Sequence, residues 1–151
     1  MGEEKQENLH KELDLIQSVI SRMTNNSFLV KGWAMTLMSA LVAFGNESIM
    51  NNDHGIYYLV AMLAILIPFW WLDAYYLQQE RIFRKIYERA IMDPNAVKRT
   101  RYDLNPRELL QDVDGTRKLM RTGIIKWFYG CFVLLIILGI VLKATGLLEA
   151  S

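Results

Sequence analysis

IYYLVAMLAILIPFWWL, residues 56–72, runs for 17 residues without a charge. At about 1.5 Å per helical residue it reaches roughly 25 Å, close to the hydrocarbon thickness of a bilayer. Two similar blocks flank it, FLVKGWAMTLMSALVAFG at 28–45 and IIKWFYGCFVLLIILGIVL at 124–142. A soluble protein can bury one such helix, but three in 151 residues leave too little polar chain to wrap them. None alternates polar and apolar as a barrel strand does, and a lone strand would leave its backbone unpaired in lipid. The expected fold class is an all-α integral membrane protein with three transmembrane helices plus cytoplasmic amphipathic helices.

Orientation follows from the basic residues, which concentrate on the inner side of membrane proteins. Residues 1–27 hold Lys5, Lys11 and Arg22, the gap 46–55 holds none, and the gap 78–123 holds eleven. Beyond Leu142 only Lys143 follows. The expected layout has a cytoplasmic amphipathic helix (1–27), a first span (28–45), a short external loop (46–55) and a second span (56–77). A cytoplasmic helical region (78–123), a third span (124–145) and an external tail (146–151) complete it. The expected location is a cell membrane, crossed several times, with the N-terminus in the cytoplasm. Trp33, Trp70-Trp71 with Tyr75-Tyr76, and Trp127 mark the inner interface, and Tyr57-Tyr58 the outer one. The opening residues MGEEKQENLHKELD are polar and mixed in charge, unlike a signal peptide.

Leu9, Leu13, Ile16, Ile20 and Met23 recur at spacings of four and three, an apolar seam suited to packing or oligomerisation. That helix is expected to stop near Thr24-Asn25-Asn26-Ser27, which are turn or cap residues. The seam is expected to lie on the chain's own cytoplasmic helices or in the lipid headgroups. The second span carries no stop signal until Asp93-Pro94-Asn95, so its helix should continue to about Met92. Pro68 is a candidate kink. Asn105-Pro106-Arg107-Glu108 reads as the start of a further helix over about 106–121, with Gly115 its weak point. Residues 1–27 sum to −2 and 78–123 to +4, so the two cytoplasmic parts should attract one another.

Lys31, Asp73 and Lys126 are the ionisable residues nearest the hydrocarbon, all at one depth. Asp73 either neutralises Lys31 or Lys126, fixing the helices in register, or faces water while the lysines snorkel. Gly32, Thr36, Ser39, Ala40 and Ala43 form a small-residue face on the first span, fit for helix packing or for lining a pore. No acid, base or histidine lies at mid-membrane, which argues against a proton relay or ion-coupled transporter.

Lys98, Arg99 and Arg101 are a candidate patch for a phosphate ligand, a nucleotide signal or anionic lipid. There is no glycine-rich phosphate loop, zinc-protease motif or nucleophile elbow, so no enzyme and no cofactor are expected. His10 and His54 fall on opposite sides of the membrane, and Cys131 is the only cysteine, which leaves neither a metal site nor an internal disulfide. A net charge of +1 argues against direct nucleic-acid binding.

Two stretches, NNSFLVKGWAMTLMSALVAF (25–44) and PFWWLDAYYLQQERIFRKIYERA (68–90), resemble a group of short bacterial membrane proteins. The shared signatures are a Lys-Gly-Trp entry to the first span and an Asp-Ala-Tyr-Tyr exit from the second. Similar multi-span proteins accompany antiphage defence systems as membrane-disrupting effectors or accessory subunits. The resemblance implies a homo-oligomeric effector in the lipid bilayer, triggered through its cytoplasmic helices by a protein or nucleotide signal. The alternative is a non-pore anchor or scaffold that recruits a cytoplasmic partner.

Overall fold

The computed structural model describes residues 2–51, 55–97 and 100–145, and among these the secondary structure is entirely helical. Helix α1 is Gly2–Asn51, α2 is Gly55–Met92, a 310 helix spans Pro106–Asp112, α3 is Thr116–Leu119 and α4 is Gly123–Ala144. Three of these helices, α1, α2 and α4, are long and apolar enough to cross a membrane. No more than 22% of any of their apolar windows is buried by the rest of the chain. Such exposed hydrocarbon is stable in lipid and unstable in water.

Helix α1 contradicts the expected break at 24–27. It is one helix of 50 residues, about 75 Å long by the usual rise. The physical reason lies in where the polar side chains go. Thr24 Oγ1 donates to the Ile20 carbonyl at 3.1 Å, satisfying itself inside the helix instead of capping a new one. Ser27 is engaged by α2. Ile16 and Val19 before the junction, and Val30 and Ala34 after it, are all buried. That burial outweighs the few tenths of a kcal/mol by which Thr, Asn and Ser disfavour a helix interior. The expected external loop 46–55 shrinks likewise, because Glu47, Ile49 and Met50 are ordinary helix formers and α1 runs to Asn51. Gly55 already belongs to α2, residues 52–54 lie outside the described residues, and so does the expected tail 146–151.

Helix α2 runs unbroken over the length its sequence predicts, through Pro68 to Met92. Helices α1, α3, α4 and the 310 helix all pack on it. Two apolar cores result. One joins Ala34 and Met38 of α1, Leu59, Met62 and Leu66 of α2, and Ile125, Tyr129 and Ile136 of α4. The other joins Ile16 of α1 to Ile82, Ile86 and Ala90 of α2 and Leu109 of the 310 helix, with Leu13 and Ile20 at its rim. The seam of residues 9–23 therefore lies on the chain's own helices. Leu9 and Met23 are half-buried at its ends.

The expected helix over 106–121 is broken in two. Its start stands as read: Pro106 opens it, and the Asn105 side chain accepts from the Arg107 amide at 3.1 Å. After seven residues Val113 and Gly115 turn extended, and a new turn begins at Thr116. The acids at the break are drawn to α2. Asp112 meets Arg89 at 3.4 Å, and Asp114 meets Arg81 at 3.7 Å and Lys118 at 2.6 Å. Lys85 Nζ donates to the Asp112 carbonyl, and Arg84 pairs with Glu80 at 2.7 Å. Among the described residues the α2 cations are thus met by acids of α2 and of the segment 103–114, not by the acidic α1 as the charge sums suggested. Glu12 is the acid of α1 that does reach across: it is buried and accepts from the Tyr102 amide at 2.8 Å.

Candidate functional site

A buried polar cluster forms where the apolar blocks of α1 and α2 meet the polar end of the bundle. Asp73 is fully buried. Lys31 Nζ lies 2.7 Å from Asp73 Oδ1, and its side chain is 23% exposed. Ser27 Oγ donates to the same carboxylate oxygen and accepts from Lys31 Nζ at 2.9 Å. Ser27 and Lys31 are four residues apart, so one face of α1 presents both. A buried carboxylate is tolerable only with a cation and hydrogen-bond donors close by, and this arrangement supplies both to one oxygen.

The third span contributes Tyr129 in place of the expected Lys126. Tyr129 is fully buried, stacks on Trp70 with ring centroids 5.8 Å apart, and lies within electrostatic reach of Asp73. Its hydroxyl and Asp73 Oδ2 are both sealed from solvent, and neither has a hydrogen-bond partner of ordinary geometry among the described residues. Lys126 is exposed, with Nζ 5.7 Å from the centre of the Trp127 ring. The reason is rotational. Ile125 and Tyr129, four apart, face α2, and Lys126 follows Ile125 by about 100° around the axis. Trp70 also ties the neighbouring turn, its Nε1 donating to the Met120 carbonyl at 3.0 Å at the end of α3.

Most of the small-residue face of α1 points away from the other described helices. Gly32, Thr36, Ser39 and Ala43 are exposed and Ala40 is half-buried. A methyl built on Gly32 would meet nothing within 4 Å, and Thr36 Oγ1 bonds the Gly32 carbonyl at 3.0 Å. Val30, Ala34 and Met38 are buried instead. Residues two further along sit about 200° round the helix, which turns the small face outward. Ser39 and Ala43 edge an open apolar cleft of about 400 Å³ between α1 and α4, floored by Leu59 and Met62.

At the other end of the α1–α2 pair, Tyr58 Oη donates to the Leu41 carbonyl at 2.7 Å, and its ring lies over Gly45. A methyl on Gly45 would collide with the far end of the Tyr58 side chain, which would have to move aside. Sequence reading missed Gly45, Ser27, Tyr129 and Glu12. The signal available for Ser27 was its i,i+4 relation to Lys31.

Of the basic patch, Lys98 and Arg99 lie outside the described residues. Arg101 is half-buried and donates through Nη2 to the Pro94 carbonyl at 3.1 Å, closing its own loop. Ala96 and Tyr102 in that loop adopt left-handed backbone, with φ of 51° and 61°. The Tyr102 hydroxyl bonds the Asn8 carbonyl at 3.2 Å, which pins the loop to α1. Among the described residues no group of three or more His, Cys, Asp or Glu side chains could hold a metal. Cys131 is a free, exposed thiol. Comparison with protein-family models, with curated proteins and with solved structures finds no match in any of the three.

Proposed function

We propose that this chain is a multi-pass protein of the bacterial inner membrane, N-terminus in the cytoplasm, that works as an oligomeric effector. Engagement of its cytoplasmic helices perturbs or permeabilises the bilayer. The observation that carries this reading is α1 itself, one uninterrupted helix joining the seam of residues 9–23 to the first apolar block. A partner that displaces the seam displaces the span with it, because no flexible joint absorbs the movement. Gly32, Thr36, Ser39 and Ala43 supply the surface on which copies would meet or around which an opening would form. Small side chains let helices approach closely in lipid, and this face holds the exposed hydroxyls of the first span. The resemblance at 25–44 and 68–90 supports antiphage defence as the setting, with a cytoplasmic protein or a nucleotide signal as trigger.

A second reading, a non-pore anchor or scaffold recruiting a cytoplasmic partner, is favoured by α2 and α4. Their exposed mid-membrane residues, among them Val60, Ile65, Leu134, Leu135 and Leu138, are pure hydrocarbon. Inducing the protein in cells loaded with a membrane-potential dye, alone and together with its neighbouring genes, separates the two. Depolarisation on triggering is the effector result. A steady potential under every condition would overturn the effector and leave the scaffold.

A further inference from the structure

The cations of α2 and those around the start of α4 are partnered differently. Arg81, Arg84, Lys85 and Arg89, on the part of α2 that leaves the apolar block, each have an intramolecular partner. Around the start of α4 the situation reverses. Arg117, Arg121 and Lys126 are exposed, and none makes an ion pair among the described residues. Lys118, in their midst, is already paired with Asp114. Beside the free cations stand large apolar side chains turned outward: Ile124 is 79% exposed and Trp127 is 76% exposed. Lys126 Nζ rests over the Trp127 ring at 5.7 Å.

We propose that Arg117, Arg121 and Lys126, with Trp127 beside them, form a docking surface for anionic phospholipid headgroups at the start of the third span. Charge complementarity selects the occupant. Unpaired cations within a few residues of an apolar block lie at headgroup depth, where each gains from a negatively charged leaflet. Trp127 fits the same depth, its indole body in hydrocarbon and its polar edge among headgroups. A soluble anion would meet the charges alone, whereas a phospholipid also packs its acyl chains on Ile124 and Trp127. Arg101, the described member of the basic patch, is instead held by the Pro94 carbonyl of its own loop.

The inference rests on the membrane reading but not on effector activity. Full-length protein in neutral detergent is titrated with phosphatidylglycerol or phosphatidylcholine, and bound lipid is counted by native mass spectrometry. Phosphatidylglycerol should bind preferentially. The triple variant Arg117→Gln/Arg121→Gln/Lys126→Gln should bind it roughly a hundredfold more weakly, from about fivefold per cation. Arg107→Gln, which removes an exposed cation of the 310 helix, should leave it unchanged. Equal binding of the two lipids, or an unaltered triple variant, would overturn the proposal. So would an equal loss in Arg107→Gln, which would mean net charge alone, or displacement of the lipid by millimolar inorganic phosphate, which would mean a free-phosphate site. A chain recovered in detergent-free supernatant would instead remove the membrane reading, so the two failures are distinguishable.

Discussion

Helices α1 and α4 both pack on α2, and they do so by different means. The α1–α2 pair has apolar cores on both sides of the Ser27–Lys31–Asp73 cluster, and a directional bond from Tyr58 to the Leu41 carbonyl near its far end. The core contacts between α2 and α4 are apolar and aromatic, with Tyr129 on Trp70 and Gly139 against Leu59. Hydrogen bonds and buried ion pairs hold one geometry, whereas apolar contact tolerates sliding and can be exchanged for lipid at little cost. This contrast predicts that α1 and α2 move as a unit, the lever of the proposed mechanism, and that α4 shifts against them.

The largest effect should come from splitting the ion pair. Lys31→Met leaves a fully buried carboxylate without its cation and should destabilise the protein by about 3 kcal/mol. Asp73→Ala should cost less, since the partly exposed Lys31 can turn its ammonium toward water. The double variant Lys31→Met/Asp73→Leu should recover most of the loss. Unfolding in detergent micelles titrated with sodium dodecyl sulfate measures all three. If the single variants unfold with the wild type, the cluster does not hold the lever.

Glycines on opposite faces of α1 sharpen the comparison. Gly45→Ala should cost about 2 kcal/mol, because Tyr58 must leave its place and give up the Leu41 carbonyl. Gly32→Ala should be neutral or stabilise by up to about 1 kcal/mol within the protomer, through helix propensity alone. Any larger loss of assembly in Gly32→Ala, read by crosslinking in membranes, would reveal a second copy on that face.

Tyr129→Phe probes the weaker pair. The ring supplies the contact and the hydroxyl makes no hydrogen bond of ordinary geometry among the described residues, so stability should change by no more than about 0.5 kcal/mol. A much larger loss would mean that the hydroxyl engages Asp73 directly and that α4 is locked after all. The smallest effect is electrostatic and far from the spans. The Lys118 ammonium holds the Asp114 carboxyl below the ordinary aspartate range. A lowered carboxylate contributes stability above its unfolded-state pKa and loses it as pH falls through the folded value. Asp114→Asn should therefore melt slightly below wild type at neutral pH, and the two melting curves should merge on acidification.

Much of this architecture was written locally in the sequence. The apolar blocks and the run of helix formers from Leu77 to Met92 contain no competing signal, so α2 could be read to its last residue. The cap at Asn105-Pro106 was equally plain. At Thr24-Asn25-Asn26-Ser27 local propensity pointed the wrong way. What decides that stretch is burial of Ile16 and Val30 on a helix some fifty residues distant, together with a serine committed to Asp73. Lys31 with Asp73 was legible because charge at that depth demands a partner. The exchange of Lys126 for Tyr129 was not, because it turns on the rotation of α4 about its axis. Gly45 beneath Tyr58 was hidden for the same reason: nothing in either segment reveals which ring crosses which backbone.

Helix α1 passes from the seam into the first span as one continuous element. Spin labels on Leu15→Cys and Val42→Cys, both exposed, in a Cys131→Ser background reconstituted into lipid nanodiscs, test it directly by pulsed electron–electron resonance. Twenty-seven residues of unbroken helix predict a single narrow distance near about 40 Å, before the reach of the labels is added. A markedly shorter distance, or two separate ones, would put a joint at residues 24–27 and contradict the lever.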